Sequence, residues 1–188
     1  KRPLTGVVKR AHFEVRYRPG SPAAADADRQ AAGAERELER ICAGIGVKPS
    51  GSFALFLYDD VAELETITGV SGAGGFSAGR ESHIPYDNDQ TRFHELVHIV
   101  AYQLLPHGKG EERNLFFAEA LANAILEHVT GVHVHAAAKF YKKTGKLPPL
   151  EEMTRAKDFY EWLRAHPGLN AYDIGGSYFR FLIDTYGP

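Results

Sequence analysis

The sequence predicts an α+β protein, and two features of its hydrophobic pattern indicate this class. Alternating or unbroken apolar segments, typical of strands, occur up to about Tyr86. Apolar residues spaced three or four apart, typical of helices, dominate the rest of the chain. We therefore expect a single domain over 1–188, with a small mixed N-terminal sheet in a strand-rich lobe of about 1–90 and a helical lobe of about 91–188.

The first predicted elements are a strand, a helix and a second strand. Residues 12–18 alternate between polar and apolar side chains, which predicts a half-buried strand. Ser21 and Pro22 indicate the start of a helix, because Ser caps a first turn and Pro fits its first position. This helix is expected to end near 44–46. The nearly continuous apolar segment 52–58 predicts a strand that is covered on both faces and central in the sheet.

A short helix and a hairpin are expected next. Asp60 and Glu63 resemble a capping box at the start of the short helix. Residues 82–86 indicate a short extended segment, in which Pro85 excludes a central, fully paired strand. We expect this segment and the glycine-rich residues 72–79 to form a hairpin at the edge of the sheet.

The remainder of the chain is predicted to be helical. One long helix is expected over 91–105 and a second over 112–130, each with apolar residues at helical spacing. A shorter helix over 136–144 and a final helix over 170–186 complete the prediction. Trp162 and its aromatic neighbours are expected to anchor the core of the C-terminal helices.

Composition excludes several classes of protein. The 188 residues carry a net charge of -2, and their lysines and arginines are scattered, so no nucleic-acid partner is expected. No apolar segment approaches the ~20 residues that cross a bilayer, so no membrane-spanning segment is expected. Cys42 is the only cysteine, which excludes an intrachain disulfide and a cysteine zinc site. Its helical setting predicts a buried thiol.

Residues 94–98 form the pattern HExxH within the first long helix. Histidines four residues apart project from one helical face, so His94 and His98 can bind one ion. Neutral imidazole is a good ligand for zinc, and a catalytic zinc needs three protein ligands and a fourth position for water. Glu95 is turned towards that water, and we expect it to act as the general base.

The third ligand is expected on the second long helix. Glu119 is the only acidic residue of an otherwise apolar face, where an unpaired carboxylate would be costly. A divalent cation would satisfy it, and an ion pair with a basic residue at the core edge is the alternative. Asn123, four residues later, is either a hydrogen-bond partner of a ligand histidine or solvated. We predict one zinc ion per chain, held by His94, His98 and Glu119.

Together these residues resemble the gluzincin branch of zinc metallopeptidases, in which HExxH is followed by a Glu ligand on a second helix. Residues 116–122 are similar to the family's aromatic-x-x-Glu-small-x-Ala element, and 172–175 are similar to the Tyr-x-x-Gly element of aminopeptidase N-like enzymes. The order of elements resembles the compact bacterial peptidase MA-like domains. The resemblance implies a zincin-like fold and zinc-dependent hydrolysis of peptide bonds. It also implies that Tyr172 donates to the oxyanion on the scissile carbonyl. Tyr178 and Tyr186 lie on the same predicted helix and are alternative donors, with Tyr178 as second choice.

The resemblance further implies a peptide or protein substrate that binds along an edge strand at 72–78, although these glycines are equally consistent with a flexible loop. It favours an exported or membrane-associated location. The exopeptidase members carry a Gly-x-Met-Glu-Asn element, whereas residues 74–78 contain no acid, so endopeptidase-like cleavage is expected. The alternative is a catalytically silent zincin whose cleft or edge strand binds a protein partner. The remaining histidines of interest are expected to be solvated or locally bonded: His83, His107, His128, His133 and His135.

Overall fold

The computed structural model describes residues 4–104, 114–129, 131–155 and 159–188. They fall into two compact units, Lys1–Leu105 and Pro106–Pro188. The first unit contains a five-stranded sheet with helices, and the second is mainly helical. The predicted α+β class is confirmed.

The sheet of the first unit is mixed. Its strands are β1 Gly6–Lys9, β2 Phe13–Tyr17, β3 Phe53–Tyr58, β4 Phe76–Ala78 and β5 Glu81–Pro85. Their order across the sheet is β1-β2-β3-β5-β4. The three inner strands are parallel, and β1 and β4 are antiparallel to their neighbours. The central position predicted for 52–58 is confirmed, whereas β1 was not predicted.

The hairpin predicted at the sheet edge is correct for β4 but wrong for β5. β4 is the edge strand, while β5 pairs with β3 on one side and with β4 on the other. Pro85 does not prevent this arrangement because it is the last residue of β5, and β4 pairs only with residues 81–83. A proline at a strand end removes no ladder hydrogen bond that the sheet needs.

The helices of the first unit are α1 Pro22–Ile45, α2 Val61–Thr68 and α3 Asp89–Leu104. The hydroxyl of Ser21 caps α1, and Gly46 ends it in the left-handed conformation with φ 79°. Asp60 caps α2 by accepting from the Glu63 N–H. The Glu63 carboxylate accepts from the N–H of Asp59 rather than of Asp60, so the predicted capping box is shifted by one residue.

A buried ion pair fixes α3 against α1. Arg92 is 3% exposed, and its guanidinium donates to Glu37 at 2.7 and 2.6 Å and to Asp89 at 2.7 Å. Gly33 makes room for it, since a Cβ there would lie 2.9 Å from Arg92 Nη2. Burial alone would lower the pKa of Arg92, but the hydrogen bonds and charges of Glu37 and Asp89 outweigh burial and raise it. Arg92 therefore stays charged and gives α3 a defined rotation.

The core of the first unit is formed by one face of the sheet together with α1 and α3. Its fully buried side chains include Phe13, Val15, Leu38, Ile41, Leu55, Leu57, Ile84 and Leu96. Cys42 is a buried, free thiol, as predicted.

The second unit contains five helices and a small hairpin within the described residues. They are α4 Leu115–Leu126, β6 His128–Val129, β7 Val132–His133, α5 Val134–Lys143, α6 Leu150–Thr154, α7 Phe159–Ala165 and α8 Ala171–Tyr186. α4 and α8 approach closely at Gly175, where a Cβ would lie 2.7 Å from the Cβ of Ala120. Trp162 and Phe159 belong to the core cluster, as predicted, but Tyr160 is 45% exposed. No helix in the described parts of the chain is both long enough and apolar enough to cross a membrane.

The second long helix is shorter than predicted at its C-terminal end. α4 ends at Leu126, and Glu127 adopts a left-handed conformation with φ 67°. The prediction that the helix continues to residue 130 is therefore wrong. The apolar spacing does continue, but residues 128–129 pair with 132–133 in a hairpin instead. The predicted helix start at residue 112 lies outside the described residues.

Candidate metal centre and its surroundings

His94 and His98 lie on one face of α3 with their ring nitrogens together. Their Nε2 atoms are 3.0 Å apart, and their rings are nearly perpendicular, at 84°. Two imidazole ligands that bind one zinc ion at tetrahedral angles have nitrogens ~3.3 Å apart, given bonds of ~2.0–2.1 Å. The observed separation differs from this value by only a few tenths of an ångström. The separation is thus close to that of two ligands of one metal ion, and it is also that of an N–H···N hydrogen bond between the two rings.

Glu95 is buried and is held by the edge strand. Glu95 is 7% exposed. The hydroxyl of Ser77, on β4, lies 2.6 Å from Glu95 Oε2 and 3.0 Å from the backbone oxygen of the same residue. A buried carboxylate is costly unless it accepts hydrogen bonds, so Ser77 both stabilises Glu95 and limits its rotation.

Ser77 is a site residue that the sequence did not reveal. The contact joins a strand and a helix across 18 positions, a separation at which no residue pattern signals an interaction. Gly75 allows β4 to approach α3, because a Cβ there would lie 2.5 Å from Thr91 Cγ2 and 3.1 Å from the His83 backbone oxygen. The glycine is therefore required for packing, and the segment is more than a flexible loop.

His83 on β5 has a local structural role, as predicted. Its ring is stacked between Phe56 and Phe76, with centroids 4.5 Å away on each side. Its Nδ1 is 2.8 Å from the hydroxyl of Tyr58, and burial lowers its pKa. This stack joins β3, β5 and β4, so it contributes to the position of the edge strand that carries Ser77.

In the second unit, α4 carries Glu119 and Asn123 one turn apart. Glu119 is 8% exposed on a helix whose other buried residues are mainly apolar. Asn123 is 2% exposed, so the alternative that it is solvated is wrong. Within the described parts of the chain, Asn123 Nδ2 has no hydrogen-bond partner. An unsatisfied buried amide costs ~1–3 kcal/mol, so the position of Asn123 lowers the stability of the unit unless its Nδ2 finds a partner.

The tyrosines that were considered as oxyanion donors all lie on α8. Tyr172 is in its first turn, where its N–H donates to Asn170 Oδ1 at 3.0 Å. Its half-buried ring packs edge-on against Phe159 at 5.4 Å. Tyr178 is also half-buried, and Tyr186 is 77% exposed at the end of the helix. Because Tyr186 is the most exposed of the three, it is the weakest candidate for the oxyanion donor.

Asp173 is a second residue that sequence reasoning missed. It is 7% exposed, and its Oδ1 has no hydrogen-bond partner among the described residues. Burial raises the pKa of Asp173 to about 6. The signal that identified Glu119, one acid among apolar neighbours, was also present here, since Ala171 and Ile174 lie within two residues of Asp173.

His107, which is expected to be solvated or locally bonded, lies outside the described residues.

In comparisons with protein families, curated proteins and solved structures, no family model, protein or structure matches the chain.

Proposed function

We propose that the chain is a zinc-dependent peptidase with a zincin-like fold and endopeptidase-like cleavage. The observation that carries this proposal is the arrangement on α3. Two imidazoles with Nε2 atoms 3.0 Å apart lie beside a buried carboxylate, Glu95, that the hydroxyl of Ser77 holds. This combination supplies a metal-binding pair and an oriented base within five residues, 94–98.

His94 and His98 of the first unit and Glu119 of the second are the proposed metal ligands. Two imidazoles and one carboxylate are a donor set of catalytic zinc sites and leave a position for water or substrate. The same donors also accept other divalent transition metals, so the choice of zinc rests on the resemblance and on zinc's preference for such sites. When bound, zinc would acidify a water molecule and polarise the substrate carbonyl.

Glu95 is the proposed general base. Its carboxylate takes a proton from the attacking water and passes it to the nitrogen of the leaving amine. Ser77 keeps one carboxylate oxygen in a fixed orientation, which reduces the reorganisation that proton transfer requires. Glu95 and Ser77 together favour an enzyme over a silent binding module, because a module that only binds a partner needs neither an oriented base nor its support.

Substrate binding is assigned to β4 and the oxyanion donor to α8. β4 is the last strand of its sheet, so an extended peptide can add to it through main-chain hydrogen bonds. Strand addition at this edge would place a peptide along the strand that carries Ser77. Tyr172 is the proposed donor to the oxyanion on the scissile carbonyl, and Tyr178 is the second choice.

The test is digestion of a broad peptide library by the wild type and by Glu95→Gln. Glu39→Gln serves as the matched control, because Glu39 is an exposed glutamate on α1. We expect Glu95→Gln to lose at least ~10²-fold in cleavage rate while it retains its metal, and Glu39→Gln to match the wild type. Cleavage that survives in Glu95→Gln would refute the mechanism. No cleavage by the wild type would refute the peptidase and favour the binding module.

A further inference from the structure

Three rings form a stack that crosses the sheet of the first unit and reaches its edge. Phe56 on β3, His83 on β5 and Phe76 on β4 have centroids 4.5 Å apart at each step, and their planes are within 4° and 5° of parallel. The strand register pairs His83 with Phe56 on one side and with Phe76 on the other. Burial lowers the pKa of His83, so its ring is neutral at pH 7 and stacks as an aromatic ring.

The spacing of the stack is that of the strands. Neighbouring strands lie ~4.7–4.9 Å apart, and the rings repeat at nearly the same distance. β4 is the last strand of the sheet, and His83 is the only ring that contacts Phe76 among the described residues. Phe76 is partly exposed. A further strand beside β4 would therefore place one of its side chains at the next position of the stack.

The turn between β4 and β5 determines how such a strand would face Phe76. Residues 79–80 form a two-residue turn, so the pair that flanks the turn is hydrogen-bonded, and so is the pair of Phe76 and His83 two positions further on. The main-chain groups of Phe76 thus point to β5, and those of Ser77 point to the outer edge. In an antiparallel peptide added at this edge, the residue opposite Phe76 occupies a non-hydrogen-bonded pair, where facing side chains are closest.

The two faces of β4 present different groups to a peptide. Ser77 faces α3, since its hydroxyl lies 2.6 Å from Glu95 Oε2, so Phe76 lies on the other face of the sheet. A peptide at this edge would present one side chain to the stack and its neighbours to the face that carries the proposed base. Because Phe76 and Ser77 are consecutive, the residue opposite Phe76 lies within about two positions of the bond on which Glu95 is proposed to act.

We propose that Phe76 selects peptide substrates that carry an aromatic residue opposite it, so that the substrate ring extends the stack by one step. This inference rests on the proposed function, because it names the substrate class of the same edge strand. An aromatic pair contributes beyond the burial of its area, and this contribution corresponds to a preference of about 3- to 10-fold over an aliphatic side chain. Leucine would cover the ring of Phe76 but would not stack on it.

The first experiment measures cleavage. Values of kcat/KM are compared for pairs of peptides that carry phenylalanine or leucine at each position around the cleaved bond. We expect the wild type to prefer phenylalanine at one position by about 3- to 10-fold, Phe76→Leu to reduce that ratio below ~2-fold, and Phe76→Tyr to keep it. Phe140→Leu is the control, since Phe140 on α5 is 60% exposed, and should leave the ratio unchanged. The ratio does not depend on the folded fraction, which affects both peptides of a pair equally.

The second experiment measures binding and separates this proposal from the proposed peptidase. Glu95→Gln, the variant without the proposed base, is titrated by isothermal titration calorimetry with threonine–alanine peptides that carry one central phenylalanine or leucine. We expect the phenylalanine peptide to bind about 3- to 10-fold more tightly, and the addition of Phe76→Leu to remove the difference.

The two experiments together decide the proposal. A phenylalanine preference in binding that Phe76→Leu removes, without cleavage by the wild type, would support the selectivity and refute the peptidase. Cleavage by the wild type with no preference for phenylalanine at any position would overturn the selectivity alone, as would a preference that survives in Phe76→Leu. No cleavage together with no measurable peptide binding would overturn both.

Discussion

Replacing Arg92 with Met would remove the buried cation that fixes α3 against α1. The side chains of Arg92 and Glu37 are 4% and 18% exposed, and two short hydrogen bonds, of 2.7 and 2.6 Å, join them. Loss of one partner of a buried pair costs ~3–5 kcal/mol, because the remaining charge stays away from water. Since Glu37 retains some contact with solvent, we expect the lower end, about 3 kcal/mol of unfolding free energy for Arg92→Met.

The double variant Arg92→Met/Glu37→Met measures how much of the lost unfolding free energy comes from the interaction between Arg92 and Glu37. With both charges removed, no unpaired carboxylate remains at position 37, so the double variant should lose about 2 kcal/mol less than the sum of the two single losses. The assay is urea unfolding followed by circular dichroism for the four proteins at pH 7, with comparable m values. Arg155→Met is the control, since the Arg155 side chain is 78% exposed, and should change stability by less than ~0.5 kcal/mol. A loss below ~0.5 kcal/mol for Arg92→Met, or strictly additive losses, would refute this account of α3.

Three further predictions concern other parts of the chain. Gly175→Ala places a Cβ 2.7 Å from an atom of α4 and should lower the unfolding free energy by about 1–3 kcal/mol in thermal denaturation. Gly74→Ala, where no atom lies within 4 Å, should change it by less than ~0.5 kcal/mol, and equal effects would contradict the packing argument. Burial raises the pKa of Asp173 to about 6 from its ordinary value of 3.8, so the folded protein keeps a proton that the unfolded chain releases between these values. Stability should therefore fall as the pH rises through this window, and Asp173→Asn should stabilise the metal-free protein at pH 7.5 but not at pH 4; a gain independent of pH would contradict this. Ser77→Ala should leave the zinc content unchanged and lower peptide cleavage about 10-fold, because Glu95 loses a charged hydrogen bond, and unchanged cleavage would exclude the positioning role.

The parts of the fold that were predicted correctly depend on local signals. Ser21, Pro22 and Gly46 act within one helical turn of their own positions, so the ends of α1 follow from residue type alone. The histidine pair of α3 follows from helical periodicity. The α+β class and the central strand 53–58 follow from hydrophobic spacing over short windows.

The parts that were missed depend on contacts between distant residues. Ser77 meets Glu95 across 18 positions, and Arg92 meets Glu37 across 55, so neither contact has a periodic signal in the sequence. The end of α4 was predicted too late because apolar spacing continues into residues 128–129, where strand pairing replaces the helix. The prediction for β5 was wrong because the missing N–H of Pro85 matters only where a neighbouring strand needs it. β4 pairs only with residues 81–83, and the length of β4 is a property of the sheet rather than of the residues near Pro85.

The zinc content of the purified protein tests the central claim most directly. Wild type, Glu95→Gln, His98→Ala and Glu119→Gln are dialysed against the same weak chelator and analysed by inductively coupled plasma mass spectrometry. We predict about one zinc per chain in the wild type and in Glu95→Gln, and little or none in His98→Ala and Glu119→Gln. Equal zinc in the wild type and in His98→Ala would contradict the proposed metal centre.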